Sequence, residues 1–427
     1  MKAKKIFKGM TAAAVAAVLA ASMVPMTAFA AAVTTDTQEI TFNSNVTNLT
    51  YKIYQVATAT VAAGGTAYDY TLVAPFADVA GYETIDKIAA VDSSDAAAKK
   101  DLADALAAKV DTTSTNPTTP LATVAGGEKA SLAPGYYLIL TSGSQMTGAP
   151  ILLSVRSDTP IGTVNAKTSE ITFDKTIEKV TASATGTGLT GGTVGIDKDT
   201  AQVSIGSTVS YKLATKFPNY AETIKATDMT EYSITDIPSA GLTLVDKDGD
   251  GLDKDDFVVT VDGTATTEFT VAAEGNGFKI SFANAFVLTN KTKDVVVTYD
   301  ATVNKNAVVG TAGNPNKATL KFDNNYYEGG TSKEIPDDGK VFTTKLVVNK
   351  TFSDFTKTPT NKYPVAGFTL YAANGTDVIA TASTTEDNNT VEFKGLAAGT
   401  YVLKETTTPD GYKTADPVNI TITANGD

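Results

Sequence analysis

From residue 40 onward the chain is dominated by short runs in which apolar and polar residues alternate, separated by Gly, Asn and Asp. A period of two predicts half-buried strands closed by turns. Strand patterns fall at 40–42, 49–56, 133–140 and 150–155, then at 203–213, 231–236, 242–245, 257–261, 278–282, 294–303 and 318–326. A last group falls at 345–352, 367–372, 391–393, 400–405 and 418–423. One stretch breaks the pattern. Residues 89–110 are Ala-rich, with Leu102 and Leu106 four apart and Ser93 or Ser94 placed to cap, which predicts a helix. The grouping predicts an all-β chain of tandem β-sandwich domains at 31–165, 166–340 and 341–427, the first with a helical insertion.

The same alternation turns a few polar residues inward. Ile171, Phe173, Lys175 and Ile177 share a face, as do Tyr232, Ile234 and Asp236, and Leu320, Phe322, Asn324 and Tyr326. In the third segment Leu346, Val348, Lys350 and Phe352 share one face with Lys345 on the other, and Glu405 points inward with Tyr401 and Leu403. A lysine facing a core is costly as a cation unless it is paired or loses its charge. Two arrangements answer this. One is a buried Lys–Asp salt bridge with Asn as hydrogen-bond partner. The other is an amide bond between the Lys175 amine and the Asn324 carboxamide. For the second, a desolvated lysine is a nucleophile, a buried protonated Asp236 shuttles protons as ammonia leaves, and the core holds the reactants together. Asn419 lies on the face opposite Val418, Ile420 and Ile422, so alternation offers no acceptor for Lys350.

Composition narrows the chemistry. Across 427 residues, 35 basic against 47 acidic side chains leave a net charge of −12, which argues against nucleic acid or an anionic membrane as partner. There is no Cys, His or Trp, so thiol nucleophiles, the usual serine triad, conventional zinc sites and disulfide staples are excluded. Lys2, Lys4, Lys5 and Lys8, then an apolar run at 12–24 and Ala28-Phe-Ala30, form a signal peptide over 1–30. The mature protein is expected to begin at Ala31, outside the cell and not in a membrane. A two-carboxylate glycosidase is disfavoured, because each inward carboxylate already has a lysine partner.

Asp246-Lys-Asp248-Gly-Asp250-Gly-Leu-Asp253 has the ligand spacing of a calcium loop. Phe257 stands where such a loop places its bidentate Glu, so the stretch reads either as a calcium site or as an acidic hairpin tip. No other cofactor is expected.

Three stretches, Phe173-Asp-Lys-Thr-Ile177, Tyr232-Ser-Ile-Thr-Asp236 and Gly313-Asn-Pro-Asn-Lys-Ala-Thr-Leu-Lys-Phe-Asp-Asn324, resemble the isopeptide-forming middle domain of Gram-positive sortase-assembled pilins. Gly399-Thr-Tyr-Val-Leu-Lys-Glu405 through Tyr412 resembles the E-box of the prealbumin-like Cna-B fold at the C-terminal end of such pilins. The resemblance implies tandem immunoglobulin-like, Cna-type sandwiches and a Lys175–Asn324 bond assisted by Asp236. It also makes Lys350 a nucleophile with Glu405 as its proton shuttle. Val164-Asn-Ala-Lys-Thr168 resembles the region where sortase links one subunit to the next, which implies Lys167 as the intersubunit amine. There the family's Tyr-Pro is replaced by Asn-Ala. The implied function is the backbone subunit of a covalently polymerised pilus on a Gram-positive cell wall, with identical subunits and sortase as partners. The alternative is a wall-anchored adhesin or minor pilin that binds a host or extracellular ligand. The family's last strand and LPxTG sorting signal are expected beyond Asp427.

Overall fold

Alternating side chains can bury only one face of a sheet, so such sheets must stack or be covered. The structure is a computed structural model. It describes residues 31–32, 37–44, 48–62, 68–91, 95–110, 118–143, 146–166, 168–182, 193–194, 198–220, 224–325 and 331–423. Residues 1–30, expected to be a signal peptide, and Lys167 lie outside that set. No helix among the described residues is long and apolar enough to cross a membrane. The chain divides into two compact units, the first built mainly from residues up to Ile171 and the second from most of the remainder.

In the first unit a six-stranded sheet is built around Thr50–Ala62, Gly135–Ser142 and Ile151–Val155, and a three-stranded sheet joins Thr163–Asn165, Gln38–Asn43 and Lys129–Leu132. Gly135–Ser142 is almost wholly buried because both its faces are covered. Tyr51, Ile53, Tyr137 and Ile139 pack with Ile40 and Phe42, while Tyr54, Val56, Leu138 and Leu140 pack with Leu102 and Leu106. The helix expected at 89–110 is Ala96–Ala107, and a separate short helix, Ile85–Ala89, precedes it. Asp95, rather than a serine, caps the longer one, its carboxylate accepting from Ala97 N at 2.8 Å and Ala98 N at 3.1 Å.

The second unit contains two sandwiches. In the first of them, a six-stranded sheet orders Phe173–Thr181, Thr208–Lys216, Asp294–Val303 and Val258–Val261. A seven-stranded sheet places Asn314–Asn325, Tyr232–Pro238 and Gly277–Phe282 side by side. The strand expected from residue 318 begins four residues earlier, at Asn314. Pro315 reads as a stop because it lacks an N–H, yet here it lies near the strand start, where its carbonyl accepts from Ser239 N at 2.9 Å. The last strand of this sandwich, Thr331–Phe342, runs two residues past the boundary expected at 340.

The smaller sandwich pairs Thr344–Asn349 with Thr390–Leu396, and a four-stranded sheet orders Val378–Ser383, Gly367–Ala372, Gly399–Thr407 and Val418–Ile422. Phe368, Leu370, Val391, Phe393, Tyr401 and Leu403 form its core. Tyr401 donates to the Ala397 carbonyl at 2.7 Å, and in the first unit Tyr137 donates to Ala133 in the same way at 2.7 Å. Both follow an Ala-x-Gly-x-Tyr sequence, so one local device pins the start of a strand in two domains.

Gly277 lies where two strands of the seven-stranded sheet approach closely. A Cβ there would sit 1.8 Å from the Asp236 carbonyl oxygen. Gly277→Ala is expected to push these strands apart and cost about 3 kcal/mol, read as a lowered unfolding midpoint. An unchanged midpoint would show that the strands tolerate the separation.

Candidate functional site: a buried lysine cluster

Lys175 is completely buried, on the strand Phe173–Thr181 with Phe173 and Ile177 turned to the same core. It pairs across its own sheet with Leu213. From the opposing sheet, Asp236 is also fully buried and forms an ion pair with the Lys175 amine. Asp236 sits between Phe278 and Ala318 in the ladder. Asn316, again fully buried, pairs with Pro238 two residues further on. Its side chain therefore projects from the same face as that of Asp236, one strand over.

Tyr299 joins these groups. Its hydroxyl accepts from Lys175 Nζ at 2.6 Å and from Asn316 Nδ2 at 2.9 Å, and donates to Asp236 Oδ2 at 2.7 Å. The Tyr211 and Tyr299 rings stack at 5.5 Å, with Lys175 Nζ 4.7 Å from one centroid and 5.2 Å from the other. Phe278 meets Tyr299 edge-on at 4.9 Å, and Phe257 closes on Phe278 at 4.5 Å. These rings wall the cluster from water.

The electrostatics follow from that burial. Desolvation pushes the Lys175 amine below its ordinary value, against the pull of Asp236. Desolvation likewise pushes the Asp236 carboxyl above its ordinary value, against Lys175 and the hydrogen bonds from Tyr299 and Asn316. Both shifts favour the neutral pair, a free amine beside a carboxylic acid. Asp236 Oδ1 and Asn316 Oδ1 have no hydrogen-bond partner among the described residues. Two unsatisfied acceptors in one dry cluster would gain from a proton on the acid.

Alternation places Lys175 and Asp236 inward, and the structure does the same. The carboxamide in the cluster belongs to Asn316 rather than to the expected Asn324. Asn324 is eight positions along the same strand, about 27 Å away at the usual rise, and its side chain lies outside the described residues. Both asparagines satisfy alternation because they are an even number of residues apart. Register decides between them, since Asp236 lies opposite Ala318 while Phe322 is already opposite Tyr232.

In the smaller sandwich Lys350 faces inward with 13% of its side chain exposed, and its amine lies 2.9 Å from Glu405 Oε1. The Glu405 side chain is fully buried, and Oε2 accepts from Lys350 at 3.0 Å and from Ala415 N at 2.7 Å. Asn419 is exposed, as its face requires. In the acidic loop, Asp246, Asp248 and Asp250 each bring a carboxylate oxygen within 4.8 Å of the others, and these are the residues that could hold a cation. Asp253 is not among them. Its carboxylate instead caps a short helical turn by accepting from Asp255 N at 2.8 Å. Asp246 itself accepts from Gly249 N at 2.6 Å and Gly251 N at 2.9 Å, so backbone amides already hold the loop.

Residues 353–427 match the SpaA prealbumin-like fold domain family. Over 299 residues the chain is 27% identical to the trypsin-resistant surface T6 protein of Streptococcus pyogenes serotype M6. That match covers 65% of this chain and 53% of the relative, so the chain spans about half the relative's length. Among solved structures it is similar to the T6 backbone pilin of Streptococcus pyogenes serotype M6, described as a modular three-domain structure. The TM-score is 0.62 at 21% identity, covering 92% of this chain and 81% of that one. It is also similar to the major pilin SpaD of Corynebacterium diphtheriae, with TM-score 0.51, 16% identity and 88% of each chain covered. The fold is that of modular Gram-positive major pilins.

The Lys350–Glu405 pair generates a direct expectation. Glu405→Ala strands a largely buried ammonium and removes an acceptor from Ala415 N, so it should destabilise the smaller sandwich by about 3–5 kcal/mol in denaturant unfolding. A loss below about 1 kcal/mol would mean that the pair behaves as an exposed one.

Proposed function

We propose that this chain is the backbone subunit of a covalently polymerised pilus on a Gram-positive cell surface, braced internally by an amide bond between Lys175 and Asn316. The observation that carries the reading is the convergence of a fully buried lysine, aspartic acid and asparagine inside one sandwich core. Such a cluster is poor as a stabilising ion pair, because desolvation of two charges offsets their attraction. It is well suited to a reaction that removes both charges.

The neutral amine attacks Cγ of Asn316, while protonated Asp236 donates to Oδ1 and stabilises the developing oxyanion. The new Nζ–Cγ bond replaces Cγ–Nδ2, and ammonia leaves. No external catalyst enters, because the core already holds the reactants in place. The bond would tie the first strand of one sheet to a late strand of the other. Closing so long a loop contributes about 5 kcal/mol on the chain-entropy model. For a fibre under load, the greater gain is that the two sheets cannot be pulled apart without breaking a covalent bond. Lys350 and Glu405 would hold the nucleophile and acid roles in the smaller sandwich. Lys167 is the amine offered to sortase for joining identical subunits.

Intact-mass measurement of the mature chain should show the loss of ammonia, and Asn316→Ala should lose one ammonia fewer. Asn324→Ala should leave the loss unchanged. If Asn324→Ala restores the mass and Asn316→Ala does not, the acceptor is assigned wrongly. In cells carrying the cognate sortase, Lys167→Ala should abolish the high-molecular-weight ladder of joined subunits. An intact ladder would move the linkage to another lysine.

A further inference from the structure

The reaction leaves one chemical problem open. An amide nitrogen cannot depart as an anion, so a proton must reach Nδ2 of Asn316 as its bond to Cγ breaks. The attacking amine meanwhile has a proton to shed. Asp236 stands at the nucleophile, with Oδ2 engaged by both Lys175 and Tyr299. Tyr299 is the group that reaches across. Its single oxygen lies 2.6 Å from the nucleophile, 2.7 Å from the acid and 2.9 Å from the leaving nitrogen.

We propose that Tyr299 is a catalytic residue of this amide-forming reaction, delivering the proton that lets ammonia leave; this rests on the Lys175–Asn316 reading above. The steps balance as follows. As Nζ bonds to Cγ, Asp236 protonates Oδ1 of Asn316, and its freed carboxylate takes one proton from the now cationic Nζ. The Tyr299 hydroxyl passes its proton to Nδ2 while recovering one from Asp236 Oδ2, so the phenol ends as it began. The Cγ–Nδ2 bond breaks, ammonia leaves, and the Oδ1 proton returns to Asp236 as the carbonyl re-forms. No oxidant, metal or external base takes part.

The surroundings support a fixed relay. Tyr299 is 4% exposed, stacked on Tyr211 and met edge-on by Phe278, which holds the hydroxyl in place. It lies in the middle of the strand Asp294–Val303, directly opposite Tyr211, which is itself opposite Ile177 on the strand that carries Lys175. The hydroxyl is thus set by three paired strands and not by a loop. Proton delivery by a positioned side chain contributes roughly 100- to 10,000-fold to a rate.

The test follows ammonia loss by mass spectrometry in the full mature chain, refolded from denaturant immediately after synthesis. Tyr299→Phe keeps the ring and removes only the hydroxyl. It should slow bond formation by at least about 100-fold relative to the unmodified sequence. Formation at the original rate would overturn the role of Tyr299 while leaving the bond itself intact. Absence of ammonia loss in the unmodified chain would overturn the bond and this role together, so the two failures are distinguishable. Should Tyr299→Phe fail to fold, 3,5-difluorotyrosine at position 299 decides the matter. It preserves shape and lowers the phenol's proton affinity. A relay predicts a several-fold change in rate and a shifted pH profile, whereas a purely structural tyrosine predicts neither.

Discussion

A primary amine with no access to water is the constraint from which the rest of the middle sandwich follows. Lys175 sits at zero exposure, where a cation is costly and a neutral amine is reactive. Everything packed against it moderates that situation. Asp236 supplies a proton partner, Tyr299 a hydrogen-bond acceptor, and the two stacked tyrosines offer π-faces to whatever positive charge remains. The sheets bring these groups from separate strands, so the cluster forms only when the sandwich closes. The reactivity proposed for it is therefore confined to the folded state.

The smaller sandwich shows the same theme under weaker burial. Lys350 keeps 13% of its side chain exposed, and Glu405 is held by a backbone amide as well as by the lysine. Its amine rests 5.6 Å from the single Phe352 ring instead of beside two stacked tyrosines. The two pairs thus share one arrangement, a lysine facing an inward acid, and differ in how far the lysine is withdrawn from water.

Much of this was legible from alternation alone, and the reasons for success and failure are physical. A strand's period of two assigns a face, so alternation alone turns Lys175, Asp236, Lys350 and Glu405 inward. A face is not a height. Asn316 and Asn324 share a face on one strand, and only pairing with Tyr232–Pro238 shows which of them stands near Asp236. The strand expected at 318–326 leaves Asn316 outside it, whereas the strand observed runs Asn314–Asn325. Alternation gives Tyr299 no distinction, because a tyrosine in a strand core is ordinary, and two of its hydroxyl partners, Lys175 and Asp236, are 124 and 63 residues away in sequence. Ser93, Ser94 and Asp95 are all competent caps by residue type, and the cap is Asp95.

The central claim is that Lys175 and Asn316 are one covalent unit. Its most direct test is tandem mass spectrometry of a proteolytic digest of the folded protein. The account predicts a branched peptide in which the Lys175 segment is joined through its side chain to the Asn316 segment, lighter by one ammonia than the two separate peptides. Recovery of both segments as unmodified linear peptides, or a branch that ends on another asparagine, would contradict it.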